Sequence, residues 1–272
     1  ICSDQLGIPY SNVKVIHGDT DEVEKGNGSF ATRGTVVGGT AAWYASAALK
    51  DKVVKIAAER YGLPTEDLNI KDQWIITESN HEKICSLQSI LEEAVKQGIE
   101  LCEKYTFDID HMSYPYGVHT AEVSIDRGTG KVKIEKYYIA YDVGRAINPM
   151  LVHGQLVGGM AQGLGGAIYE ELKYDETGQL ITGSFMDYLL PSSMEVPEID
   201  IEILENSPSP LNPLGVKGAG EGGTVAVAPA VANAIIDALE QYPIEITSLP
   251  IRPELIRDAI RKGFVTKEVK QS

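Results

Sequence analysis

One carboxylate, Glu221, stands in the run Gly215-Val216-Lys217-Gly218-Ala219-Gly220-Glu221-Gly222-Gly223-Thr224. The proline-rich segment Ser207 to Pro213 precedes it and an apolar helical stretch follows. Dense glycine lets a backbone approach another group closely. A carboxylate in such a loop has two uses. It can place a negative charge at the start of the next helix, which is worth roughly 0.3–1 kcal/mol. It can also act as a general base, for which it must be ionised and within reach of a proton. The residues alone leave both readings open.

Two more glycine-rich stretches, 26 to 39 and 154 to 166, lead into or run along Ala/Gly-rich helices. Helix N-termini and successive free N–H groups attract phosphates and other anions. Three such stretches point to a large, polar, phosphate-bearing ligand; for any one of them, close helix packing is the plainer alternative. Gln155 and Gln162 lie two turns apart on one helix face. A glutamine there can bond a heterocycle edge or a neighbouring helix. Arg33 can clamp a phosphate bidentately or stay solvated. His153 reads as a surface histidine, and Asp142 with Arg145 as a local ion pair. No nucleotide fingerprint fits. In Lys217-Gly218-Ala219-Gly220 the lysine precedes the glycines, and Gly158 to Gly166 lacks a strand-turn-helix context.

The elements that must position these residues follow from periodicity. Ile1 to Ile8 reads as the tail of a helix, and Asn12 to Ile16 as a short strand. A helix runs to about Tyr61 with Ala41, Tyr44, Ala45, Ala48, Leu49, Val53, Ile56 and Ala57 on its apolar face, stopped by Gly62 and Pro64. Asp67 to Ile70 and Gln73 to Ile76 read as strands, and Ser86 to Glu103 as a helix capped by Ser86 or Ser89. A boundary is expected in the aperiodic stretch 104 to 116. Val118 to Ile125 and Lys131 to Ala140 alternate around Asp126-Arg127-Gly128-Thr129-Gly130, a hairpin signal. A glycine-studded helix is expected over Leu151 to Tyr169 and a second hairpin over Ala167 to Tyr174 and Leu180 to Thr182. Strands over Ile199 to Leu204 and Ile244 to Thr247, a helix to about Leu239 and a last helix over Pro253 to Lys262 complete the order. Interspersed helices and hairpins predict an α+β fold with mixed sheets in layers.

With 272 residues, 43% apolar, a sizeable core is available. Twenty-four basic against 39 acidic residues give a net charge of -15. That argues against nucleic acid and against an anionic membrane surface as partners. No stretch has the length of a membrane span. Three cysteines, Cys2, Cys85 and Cys102, lack CxxC spacing and read as reduced cytoplasmic thiols. The five histidines show no metal-ligand spacing, so no protein metal ligand is expected.

Gly215 to Thr224 closely resembles the Gly-x-Gly-Glu segment of the molybdenum hydroxylases, the xanthine dehydrogenase, aldehyde oxidase and carbon monoxide dehydrogenase large-subunit family. Asp142 to Gly166 (DVGRAINPMLVHGQLVGGMAQGLGG) resembles that family's Asp-x-Gly-x-x-x-Asn-Pro, Gly-Gln and Gln-Gly-x-Gly signature. Tyr116 to Ile125, Gly178 to Pro191 and Gly28 to Thr40 resemble other segments of the family in the same order. The resemblance runs nearly end to end, with the prokaryotic carbon monoxide or aldehyde dehydrogenase branch most similar in character. It implies a molybdenum-cofactor-binding type of α+β fold. It also implies two subdomains: 1–112, incomplete at its N-terminus, and 113–272, carrying the glutamate.

The resemblance further implies a molybdopterin cofactor carrying molybdenum, in the cytosine dinucleotide form. Glu221 takes the position of the catalytic glutamate, which removes a proton from a metal-bound hydroxyl. Gln155 matches a pterin-contacting glutamine. Ala31, Thr32, Arg33 and Gly34 match a cofactor loop. Lys217, Gly218, Ala219 and Gly220 match the backbone leading to the glutamate, and Thr120 a pterin contact. Electrons would leave through a [2Fe-2S] iron–sulfur subunit to an FAD subunit, in a dimer of heteromers. The resemblance covers the C-terminal half of the large subunit, so an N-terminal half is an expected partner, and the chain alone is expected to be inactive. A non-catalytic assembly module of the same fold is the competing reading, and an unrelated nucleotide-binding domain a third.

Overall fold

The computed structural model describes residues 1–263. The chain divides into two units. The first comprises Ile1–Ser113 with Ser209–Val216; the second comprises Tyr114–Pro208 and the chain from Lys217 on.

In the first unit, α1 (Cys2–Leu6) ends at Gly7, which takes a left-handed conformation. A Cβ at Gly7 would sit 2.3 Å from the Ile70 carbonyl oxygen, so only glycine fits there. The long helix α2 (Thr40–Tyr61) follows a π-helical turn over Gly34–Gly39 and is stopped by left-handed Gly62. Strands β1 (Leu68–Lys71), β2 (Trp74–Thr77) and β3 (Lys83–Ser86) form an antiparallel sheet in sequence order. Helix α3 (Leu87–Lys96) starts where the Ser89 N–H donates to Ser86 Oγ. It ends before Gly98, seven residues short of the expected Glu103, because the chain turns left-handed at that glycine. Val53, Ile56 and Ala57 of α2 pack with Ile70, Ile75 and Ile90 into one core.

The second unit is built on β4 (Tyr116–Ile125), β5 (Val132–Asp142) and β6 (Ile199–Leu204), with β5 central. β4 and β5 are antiparallel, and β6 runs parallel to β5, so this sheet is mixed. The tight turn between β4 and β5 is held by Asp126 Oδ1, which accepts the N–H groups of Gly128 and Thr129 at 2.8 and 2.9 Å. The crossover to β6 carries α4 (Pro149–Leu164), capped by Asn148 with Pro149 in its first turn. Helices α5 (Val227–Ala238) and α6 (Pro253–Arg261) complete the unit. Its core joins Tyr137 and Ile139 of β5 to Leu156, Met160 and Leu164 of α4, and to Val227, Val231 and Ile235 of α5. No helix of the described residues is long and apolar enough to cross a membrane.

Glycine governs how closely α4 meets the chain around α5. A Cβ at Gly159 would lie 2.8 Å from the Gly223 Cα, and one at Gly163 would lie 2.6 Å from Val227 Cγ2. Gly154 and Gly158 have nothing comparable near them, so α4 has one closely packed glycine face and one open one.

Several expected elements are absent. Asn12 to Ile16 and Ile244 to Thr247 alternate in sequence but pair with no strand among the described residues. Alternation without a ladder partner does not make a sheet. Of the second hairpin only an isolated bridge, Tyr174 to Leu180, forms, because Gly165–Tyr169 continues α4 as a π-helical turn. The Asp142–Arg145 pair is also overturned. Asp142 instead meets Lys217, with Nζ 3.1 Å from Oδ1 and both side chains nearly inaccessible to water. The ammonium lies 4.0 Å from the centre of the Tyr116 ring. The backbone repeats the link, since Lys217 N–H donates to Val143 O at 2.9 Å.

Burial alone raises the Asp142 carboxyl pKa, but the Gly144 N–H and the Lys217 ammonium outweigh it and hold the pKa below its usual value. The folded chain therefore binds this proton less readily than the unfolded chain. The stability contributed is complete above the unfolded value of about 3.9 and is lost as the pH falls below it. Asp142→Asn removes the carboxylate charge that faces the buried Lys217 ammonium, so about 3 kcal/mol should be lost at neutral pH in urea unfolding. The gap from the parent should close as the pH drops below about 4, the range in which the parent loses this contribution. Gly163→Ala forces α4 away from Val227 and should cost about 1–3 kcal/mol by the same measurement.

Candidate active site

The run Gly215 to Thr224 is tied at its start within each unit. In the first, Asn212 Nδ2 donates to Val216 O at 2.8 Å and Val216 N–H donates to Asn212 Oδ1 at 3.1 Å. In the second, the Lys217–Asp142 pair takes over. Beyond it the N–H groups of Gly218, Ala219, Gly220 and Glu221 find no acceptor among the described residues. Four successive unpaired donors make a surface suited to an anion or a carbonyl-rich edge.

The carbonyls on either side of Glu221 are each held. Gln155 Nε2, from α4, donates to Gly220 O at 2.6 Å. His119 Nε2, from β4, lies 3.1 Å from Gly222 O. Thr224 Oγ1 donates to Gly159 O at 3.0 Å and closes the segment onto α4. Two glycines make the approach possible. A Cβ at Gly222 would lie 2.3 Å from Tyr141 Cζ, and one at Gly223 would lie 2.3 Å from Leu156 O. The backbone of Glu221 is thus fixed while its side chain is exposed and makes no hydrogen bond or ion pair among the described residues. Its charge adds to the effect of burial in raising the Tyr141 phenol pKa, which places the carboxylate beside that ring.

The helix-charge use of Glu221 loses force. α5 begins only at Val227, and the effect of a terminal charge fades within one turn. What the geometry offers instead is an unpaired carboxylate on a rigid backbone next to a row of N–H donors.

His119 escaped the sequence reading, which chose its neighbour Thr120. On β4 the residues Gly117, His119, Ala121, Val123 and Ile125 share one phase, facing the helices, and Thr120 points to the exposed face with Tyr116 and Val118. A histidine in the inward, apolar phase was the available signal. Burial lowers its pKa, against the Gly222 carbonyl, which favours the charged ring. The ring therefore favours the neutral state.

The loop Ala31, Thr32, Arg33 and Gly34 belongs to the first unit. Ala31 and Thr32 have φ of 50° and 59°, two successive non-glycine residues in the left-handed region. That conformation costs about 1–3 kcal/mol per residue and persists only where the surroundings impose it. Arg33 stacks over Phe30, 4.8 Å from its centre. After the π-helical turn, Thr40 Oγ1 at the head of α2 is buried with no partner among the described residues. The structure thus gathers Gln155 with Lys217, Gly218, Ala219, Gly220 and Glu221. It sets Thr120 on the opposite sheet face from His119, and holds the Ala31–Gly34 loop in the other unit.

The chain matches a family described as molybdopterin cofactor-binding domain over residues 1–197. It is 37% identical to the 6-hydroxypseudooxynicotine dehydrogenase complex subunit gamma of Paenarthrobacter nicotinovorans, over 94% of this chain and 33% of that one. It is 31% identical to the carbon monoxide dehydrogenase large chain of Hydrogenophaga pseudoflava, over 92% and 32%. The solved structure of quinoline 2-oxidoreductase from Pseudomonas putida 86 superposes with a TM-score of 0.86 at 33% identity, covering 96% of this chain and 34% of that one. The chain spans about a third of the length of the curated relatives it matches. With this coverage, and with the fold shared, the chain belongs to the molybdopterin cofactor-binding domain family of the molybdenum hydroxylase large subunits.

Proposed function

We propose that this chain is the C-terminal part of the catalytic large subunit of a molybdenum hydroxylase and that Glu221 is its general base. The observation that carries this reading is the unpaired Glu221 carboxylate on a backbone whose flanking carbonyls are both held. When bound, a molybdopterin cofactor, here in its cytosine dinucleotide form, supplies the two-electron redox centre and the site at which water-derived oxygen is delivered. The residues present fit such a group. The N–H groups of Gly218 to Glu221, which find no acceptor among the described residues, would donate to its polar edge. Gln155, exposed on α4, would contact the pterin, with Thr120 a further contact. The strained Ala31, Thr32, Arg33 and Gly34 loop would offer donors to phosphate and to the group beside the metal. Lys217 contributes its backbone, because its ammonium is committed to Asp142.

Glu221 accepts the proton released as the oxygen nucleophile forms. Holding its backbone still means that little reorganisation precedes the transfer. The substrate is a small molecule oxidised at carbon, namely carbon monoxide, an aldehyde or a nitrogen heterocycle. The relatives named for carbon monoxide and quinoline fall in that range. The remaining N-terminal part of the large subunit, a [2Fe-2S] subunit and an FAD subunit complete a cytoplasmic dimer of heteromers. The "complex subunit gamma" and "large chain" names of the relatives support such an assembly.

The test is Glu221→Gln in the assembled complex, assayed by dye reduction with carbon monoxide, an aldehyde and an N-heterocycle. The expected result is a kcat lower by about 10²–10⁴-fold with cofactor content unchanged. A loss under tenfold would assign the chain to a non-catalytic assembly role. The isolated chain is expected to bind cofactor weakly and to reduce no dye with any of the three; substrate-dependent reduction by it alone would overturn the need for the partner segments.

A further inference from the structure

Two side-chain N–H donors from different elements hold the carbonyls of the residues flanking Glu221. Gln155 reaches Gly220 O from α4, and His119 reaches Gly222 O from β4. The second contact depends on a single tautomer. A carbonyl oxygen carries no hydrogen, so His119 can bond Gly222 only with its proton on Nε2. Nδ1 must then accept, and the Tyr137 hydroxyl stands 2.9 Å from it. Tyr137 is wholly buried, and burial holds its pKa above the ordinary range, so it remains a donor. The order is Tyr137 O–H to His119 Nδ1, then His119 Nε2–H to Gly222 O.

The alternative tautomer would turn an Nε2 lone pair toward the Gly222 oxygen and release the peptide. The surroundings of His119 do not supply another choice. α5 packs against β4 with the apolar residues Val227, Val231 and Ile235 as its buried face. Tyr141, the next inward aromatic of β5 toward its C-terminal end, lies against Gly222, and Glu221 lies beside that ring.

We infer that His119 is a positioning residue for Glu221, that it works as the neutral Nε2–H tautomer, and that Tyr137 selects this tautomer. The inference deepens the general-base reading and rests on it for its catalytic consequence, though not for the clamp itself. His119 touches no reacting atom. It fixes the Gly222–Gly223 peptide, one beyond Glu221, and Gln155 fixes the Gly220–Glu221 peptide that leads into the glutamate.

The clamp is read first by amide hydrogen exchange in the purified chain. His119→Leu should raise exchange of the hydrogen-bonded Gly222, Thr224 and Val225 amides by about tenfold, the scale of one neutral hydrogen bond lost. His119→Gln, which can place an amide Nε2–H near the same point, should restore most of the protection. Tyr137→Phe removes only a hydroxyl and keeps the chain testable if the leucine variant fails to fold. In this variant the ¹⁵N-histidine spectrum should change from a single Nε2–H form to a mixture of tautomers. In the assembled enzyme His119→Leu should lower kcat by roughly ten- to a hundredfold with KM little changed, and His119→Gln should recover it. Unchanged exchange in His119→Leu, no rescue by glutamine, or an Nδ1–H tautomer in the parent would each overturn the inference. If exchange responds as expected while Glu221→Gln stays active, the clamp stands and the general-base reading falls. If Glu221→Gln is inactive while His119→Leu keeps both exchange and kcat, the opposite holds.

Discussion

Lys217 and Asp142 meet 3.1 Å apart where β5 ends, and almost no water reaches either side chain. Removing two charges from water costs several kcal/mol per ion, and their attraction returns that cost only with good geometry and further hydrogen bonds. Both conditions hold. Asp142 also accepts the Gly144 N–H, and Lys217 lies over Tyr116. Such a pair adds little net stability over an apolar one, but it tolerates few alternatives. It fixes which residue of the glycine run sits at the sheet, and with it the place of every residue up to Thr224.

Given that anchor, the glycines divide by task. Gly222 and Gly223 are required because Tyr141 and the Leu156 carbonyl occupy the space of a Cβ, and Gly159 and Gly163 because α4 meets Gly223 and Val227. These are packing glycines, the plainer of the two readings the sequence allowed. Gly154 and Gly158 keep open space beside Gln155. Ala31 and Thr32 show the converse, residues with side chains held in a conformation that glycine would adopt freely.

Much of this was legible in the chain itself. Alternation around Asp126 to Gly130 located β4 and β5, the glycine-studded run from Leu151 located α4 to within two residues of its start, and Gly62 the end of α2. Glu221 and Gln155 stood out by type and setting. What escaped depended on distant partners. Asp142 was matched to Arg145, three residues away, when its partner lies 75 residues on. The parallel pairing of β6 leaves no local mark, and β3 is too short to show a period. Asn12 to Ile16 and Ile244 to Thr247 have the pattern of strands without a neighbour to pair with. His119 was missed because its partners, Tyr137 and Gly222, lie 18 and 103 residues away in sequence.

The contacts that define the glutamate's backbone all span long stretches of chain: 103 residues from His119 to Gly222, 75 from Asp142 to Lys217 and 65 from Gln155 to Gly220. Closing loops of this size must precede the contacts that stabilise them, and such pairings form slowly. During synthesis the β4–β5 hairpin and α4 emerge well before the segment that docks on them. The inward face that will receive that segment, with His119 and Tyr141 on it, is therefore exposed until the chain has passed Thr224. The order of the elements thus makes the site a late product of folding, and leaves a half-made sheet in need of shelter during the interval.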